Sequence, residues 1–233
     1  MGKSFLLLWL EAPLQSWGHD SKFGRRDTLD FPTKSGVLGL LCSARGAGGP
    51  EREWLAQWSA FDMRVLAFRP EKQARLPLLR DFHMVGSGYD LDDLWQNLLI
   101  PKTSEGKRAV GGGSKLTYRY YIQDMAFAVI FEANSDPVND AVTALRNPHW
   151  DLFLGRKTCV PTELIFRGVF DSFDECERSA LNLAQEKNRK LEFSVVEGVN
   201  EGEVVTLNDV PVQFGVDKKY RDRRVTVKRH IFE

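Results

Sequence analysis

Ser4-Phe5-Leu6-Leu7-Leu8-Trp9-Leu10 is an unbroken apolar run, closed by Glu11-Ala12-Pro13. Such a run without alternation marks a β-strand covered on both faces, and it is read as the first strand of the chain. It is too short for a secretory signal and lacks a small-residue cleavage site, which makes the expectation a soluble, cytoplasmic chain. Outward from this strand, Phe31-Pro32-Thr33-Lys34-Ser35-Gly36 opens a helix through Ala44, with Val37, Leu38, Leu40 and Leu41 at core spacing and a stop at Gly46–Gly49. Pro50 starts a second short helix that sets Trp54, Leu55 and Trp58 to one side, and Asp62–Phe68 reads as the second strand. Met125–Phe131 is the third strand, Asp136-Pro137 opens a helix ending near Arg146, and Thr162–Phe170 is the fourth.

The order is β-α-β-β-α-β, which predicts a ferredoxin-like α+β core of the kind shared by RNA-recognition motifs. Arg75–Ile122, between the second and third strands, is far too long for a hairpin turn and predicts an inserted arm. Within the arm, Asp90–Leu99 reads as a short helix and Lys102–Lys115 is rich in Gly, Lys and Ser. Residues 1–170 therefore form the core with arm 75–122, and 171–233 an α/β extension packed on it. The extension begins with a helix capped by Asp174, with Glu177 in the capping-box position, and continues in strands over Leu191–Val196, Val204–Leu207 and Arg224–Ile231.

In a chain of 233 residues, 32 Lys and Arg are balanced by 32 Asp and Glu, so bulk charge does not attract nucleic acid and any RNA site must be local. Two basic clusters, Lys102–Arg119 (with Lys107 and Arg108) and Lys218–Arg229, can supply one. Cys42, Cys159 and Cys176 stand far apart with no CxxC pair, which predicts buried free thiols, no metal site and no cofactor.

Four segments carry binding chemistry. In Leu14-Gln15-Ser16-Trp17-Gly18, the Gln15 amide and Trp17 indole suit splayed RNA bases, with a packed Trp17 as the alternative. Thr33-Lys34-Ser35-Gly36 places Lys34 and Ser35 at a helix N-terminus, where free N–H groups attract an anion or are simply capped. In Leu154-Gly155-Arg156-Lys157-Thr158-Cys159, Gly155 allows close backbone approach beside two cations and the Thr158 hydroxyl, a pattern suited to phosphate. Alternation in Lys115-Leu116-Thr117-Tyr118-Arg119-Tyr120-Tyr121 puts Lys115, Arg119 and Tyr121 on one face and Tyr118 and Tyr120 on the other.

Together with Val37-Leu38-Gly39-Leu40-Leu41, Arg80-Asp81-Phe82-His83 and Asp124, and in this order along the chain, these motifs resemble the CasD family, the small RAMP-superfamily subunit of type I-E CRISPR Cascade. The resemblance implies a thumb-like arm and a non-catalytic subunit in antiviral defence that binds the 5′ handle of the guide RNA (crRNA). It adds Arg80 and His83 to the site. It implies as partners the backbone subunit and the large PAM-reading subunit, with target DNA engaged through the complex and no membrane. Sequence specificity in such complexes is delegated to guide pairing. The rival is a metal-independent endoribonuclease that processes precursor guide RNA, as in type I-C relatives, with His83, Lys115 and the Tyr118–Tyr121 set as its machinery. A third reading is a free-standing RNA-binding protein without a docking surface for other subunits.

Overall fold

The computed structural model describes residues 2–19, 21, 24–85, 90, 92–99, 102–107 and 115–230. Its elements are β1 (Lys3–Glu11), β2 (Leu14–Gln15), β3 (Arg25–Arg26), α1 (Lys34–Arg45), α2 (Arg52–Ser59), β4 (Asp62–Pro70), β5 (Leu79–Val85) and α3 (Leu94–Leu99). They continue with β6 (Lys115–Gln123), β7 (Ala126–Asn134), α4 (Ser135–Arg146), β8 (Phe166–Phe170), α5 (Phe173–Glu186), β9 (Arg189–Glu197), β10 (Glu203–Gln213) and β11 (Lys219–Arg229).

Seven strands form one antiparallel sheet in the order β10-β11-β9-β4-β7-β1-β8. The apolar run that predicts a doubly covered strand is β1, which lies between β7 and the edge strand β8, with Leu6 through Leu10 all buried. Its alternate residues enter two cores. Leu6, Leu8 and Leu10 join the face packed by α1, α2 and α4, while Leu7 and Trp9 join the face covered by α5 through Cys176, Ala180 and Ala184. The alternation hidden in a uniformly apolar stretch is thus a division between two layers. The chain after residue 171 extends this same sheet, since β9 pairs directly with β4.

Several expectations shift. Helix α5 is capped by Ser172, whose Oγ accepts from Glu175 N–H at 3.3 Å, so the capping frame is Ser172–Glu175 and Asp174 lies inside the first turn. The fourth strand is shorter than Thr162–Phe170, because Thr162 and Ile165 meet β1 only through isolated hydrogen bonds before β8 begins. Helix α3 starts at Leu94 because Asp93 caps it, its Oδ1 accepting from Trp95 N–H at 2.8 Å. The arm is a β5–β6 hairpin, and β5 was not among the expected strands.

A buried ionic cluster holds β9–β11 against the helical layer. Arg223 makes a forked contact with Asp209, Nε to Oδ1 at 2.6 Å and Nη2 to Oδ2 at 2.8 Å, and a third bond to Glu197 Oε1 at 2.7 Å. Lys34 Nζ reaches the same Glu197 oxygen at 3.2 Å and the carbonyls of Ser59 and Phe61 at 3.2 and 2.6 Å. Burial pushes the Lys34 ammonium below its usual pKa, against the pull of Glu197. Every charge has a partner of the opposite sign, which is the condition for leaving it inside.

The three thiols are free and buried, and burial pushes those of Cys42 and Cys176 up to about 12. Among the described residues no helix is long and apolar enough to cross a membrane.

Two outcomes are expected. Arg223→Ala leaves Asp209 and Glu197 buried without their cation and should cost about 3–5 kcal/mol in urea unfolding, against little change for Arg221→Ala at an exposed position of the same strand. A thiol reagent at neutral pH should leave Cys42 and Cys176 unmodified in the native protein and label them after unfolding.

Candidate nucleic-acid interface

The arm carries the clearest surface. Register pairs Phe82 with Tyr118, Arg80 with Tyr120 and Met84 with Leu116, so these six side chains share one face of the β5–β6 hairpin. Phe82, Met84, Leu116 and Tyr118 are 53%, 58%, 49% and 43% exposed. The Phe82 and Tyr118 rings lie 5.5 Å apart, and the Arg80 guanidinium sits 5.6 Å from the Tyr118 ring. On the other side of β6, the two-residue strand β3 adds Arg25, whose guanidinium lies 5.0 Å over Tyr120 and pairs with Asp27 at 2.8 Å. Flat rings interleaved with guanidinium groups offer stacking and phosphate contact on one face. Arg25 and Arg26 were missed from sequence, although two consecutive cations after Gly24 were a usable signal.

The opposite face is polar. It carries Asp81 and His83 from β5 and Thr117, Arg119 and Tyr121 from β6, with Lys115 placed at the end of β6 opposite Val85. His83 Nε2 lies 3.3 Å from Asp81. The alternation splits the set that the nuclease reading needs, because Tyr118 and Tyr120 face away from His83 and Tyr121 is buried. Lys107 sits in the exposed Thr103–Lys107 turn, 3.1 Å from Glu105, and Arg108 lies outside the described residues.

The Gly155 loop meets the root of the arm. Gly155 has φ +95°, and a Cβ there would fall 1.7 Å from the Ser16 carbonyl oxygen. The missing side chain makes room for the protein's own backbone, not for phosphate. Ser16 N–H donates to Leu154 O at 3.1 Å, and the loop closes on itself through Leu154 N–H to Cys159 O and Cys159 N–H to Arg156 O, each 2.8 Å. Arg156 is turned inward too: it donates to the carbonyls of Tyr120 at 3.3 Å and Arg26 at 2.9 Å and stacks 4.6 Å over Tyr121. Lys157 and Thr158 remain exposed at the tip.

Three further residues expected to meet RNA are placed inside. Gln15 is fully buried, its Nε2 donating to Met125 O at 2.7 Å and Leu10 O at 3.2 Å while its Oε1 accepts from Trp17 Nε1 at 3.2 Å. Trp17 is 1% exposed, so its indole holds the loop to the core. The anion expected at the N-terminus of α1 is already there, because the Lys34 N–H donates to Asp209 Oδ2 at 2.8 Å and Gly36 N–H to Thr33 Oγ1 at 3.1 Å. Ser35 is half-buried beside them. The outward cations and rings of this region are therefore Arg25, Arg26, Arg80, Phe82, Tyr118, Lys157 and their strand neighbours.

With this geometry in view, the comparisons are specific. A family model described as CRISPR-associated protein (Cas_Cas5) matches residues 5–227, and the chain belongs to that family. The CRISPR system Cascade subunit CasD of Escherichia coli (strain K12) is 28% identical over 191 residues, 77% of each chain. A chain of a CRISPR RNA-guided surveillance complex superposes with a TM-score of 0.70 at 26% identity, over 97% of this chain and 89% of that one. A Cas protein crystal structure gives 0.61 at 25% identity, covering 97% and 94%. The resemblance to CasD is borne out, and the mixed α/β architecture is similar to these structures.

Substitution separates the structural from the exposed residues of the loop. Gly155→Ala should lower the unfolding midpoint by an amount equivalent to about 3 kcal/mol or more, from backbone strain plus the clash with Ser16. Lys157→Ala should stay within about 0.5 kcal/mol of the parent in the same measurement.

Proposed function

We propose that this chain is the non-catalytic guide-RNA-binding subunit of a type I-E Cascade-like surveillance complex, holding the 5′ handle of the crRNA and contacting the backbone and large PAM-reading subunits. The observation that carries the reading is the arm face on which Arg25, Arg80, Phe82, Tyr118 and Tyr120 interleave, with Lys157 at its root. On a chain of zero formal net charge, this gathers outward cations and rings where single-stranded RNA can stack. Membership of the Cas5 family and the likeness to CasD support the assembly. The split of His83 from Tyr118 and Tyr120 favours binding over cleavage. Target DNA is engaged through the complex, in the cytoplasm.

The same reading treats β1, α1, β4, β7, α4 and β8 as a ferredoxin-like RAMP core with the arm inserted between its second and third strands. What supports it is the sheet order β4-β7-β1-β8, in which each helix-crossing pair of strands is separated by one antiparallel neighbour. Residues 171–233 are then the extension that lengthens the sheet beyond β4.

Arg80→Ala with Lys157→Ala should weaken handle RNA binding roughly tenfold or more, and should reduce the slope of log affinity against log salt by about one for each phosphate that loses its cation. Wild-type affinity with an unchanged slope would remove this surface from the RNA site. Labelled repeat RNA should remain uncut on incubation with the purified chain. Cleavage at the base of the repeat hairpin that disappears in His83→Ala would replace the scaffold reading with the nuclease.

A further inference from the structure

A second polar groove lies away from the arm face. It encloses about 710 Å³ and is lined by Gly18, His19, Ser21 and Ser35 on one side and by Thr206, Asn208, Lys218, Tyr220 and Asp222 of the β10–β11 hairpin on the other. That size is within the range of small-molecule sites. The hairpin side results from alternation: Leu207 and Asp209 turn into the protein, so Thr206 and Asn208 turn out. The buried Arg223–Asp209 fork then fixes the register that sets Asn208 across from Asp222, its Nδ2 donating to Asp222 Oδ1 at 2.5 Å.

The lining is arranged for a nucleotide. Lys218 supplies a cation for phosphate, Tyr220 a ring for stacking, and Ser21, Ser35 and Thr206 hydroxyls for a ribose. Asp222 is exposed and pinned by Asn208 through one oxygen, which leaves the other as an acceptor. A carboxylate at a base edge takes an amino group and repels a carbonyl, so it accepts from cytosine N4 and disfavours uracil O4.

We infer that this groove is a base-reading subsite for one unpaired nucleotide of bound RNA, with Asp222 selecting a base that presents an exocyclic amine. The inference rests on the RNA-binding reading above and adds base discrimination to it. Its specificity comes from an oriented carboxylate, in contrast to the stacking and phosphate contacts of the arm.

Fluorescence anisotropy of the full chain with short labelled oligo(rC) and oligo(rU) tests it, since the two bases share a shape and differ at position 4. The wild type should bind oligo(rC) about fivefold or more tighter than oligo(rU). Asp222→Asn keeps the size and can donate to a carbonyl, so it should abolish or invert that ratio. Tyr118→Ala on the arm should weaken both RNAs and leave the ratio in place. Equal binding of both RNAs by the wild type, or a preference that survives Asp222→Asn, overturns the subsite while the arm surface stands. Failure to bind either RNA overturns the RNA-binding reading and the subsite with it.

Discussion

The cluster of Lys34, Glu197, Asp209 and Arg223 determines where the last third of the chain can sit. Four charges removed from water are tolerable only as a set, since each would otherwise forfeit several kcal/mol of hydration. Their contacts span the molecule: Lys34 opens α1, Glu197 ends β9, and Asp209 and Arg223 face each other across β10 and β11. Asp209 also serves as the anion at the start of α1, so one carboxylate caps a helix and orders a hairpin. The register of β10–β11, and with it everything the hairpin shows to solvent, is coupled to the start of the first helix.

Zero net charge is no obstacle to an RNA role once the cations are sorted by what they face. Lys34, Arg223, Arg189 and Arg156 are consumed internally, Arg189 by Glu11 and Asp124 at 2.6 and 3.0 Å where β6 turns into β7. Arg25, Arg80 and Lys157 point outward from elements that those internal contacts hold in place. Arg156 fastens the loop, and its neighbour Lys157 is then presented at a fixed place beside the arm. Affinity for a polyanion depends on the local field at such a surface.

The strands and helices of the central layers were readable because their signals are local. The β1 run, the apolar spacing of α1 and the β-prone Met125–Phe131 each specify their element within a dozen residues. The arm strand β5 was not readable, because its Phe82 and Met84 are exposed and no core demands the alternation that would mark it. Gln15, Trp17, Lys34, Gly155 and Arg156 turn to partners inside the protein for a different reason. A glycine beside cations and a lysine at a helix N-terminus look the same whether the nearby oxygen belongs to a phosphate or to the protein. At Gly155 it is Ser16 O, and at α1 it is Asp209, 175 residues away from Lys34 in the chain. Physical chemistry identified the need for an oxygen, and only the tertiary structure shows which one meets it.

The foot of the arm is closed more firmly than its length would suggest. Leu79 pairs with Tyr121, Gln123 Nε2 donates to Pro77 O at 2.8 Å, and a single left-handed residue, Asp124 at φ 47°, turns β6 into β7. Both ends of the insertion therefore enter the sheet side by side. Chain added beyond the last pair, Val85 with Lys115, enlarges a loop that is already shut, and doubling such a loop costs only about 0.6 kcal/mol. Arm length is thereby nearly decoupled from the stability of the sheet. The far end of the hairpin is where lineages can lengthen, shorten or exchange sequence to suit a different neighbour, and where a foreign peptide can be spliced in without disturbing either core.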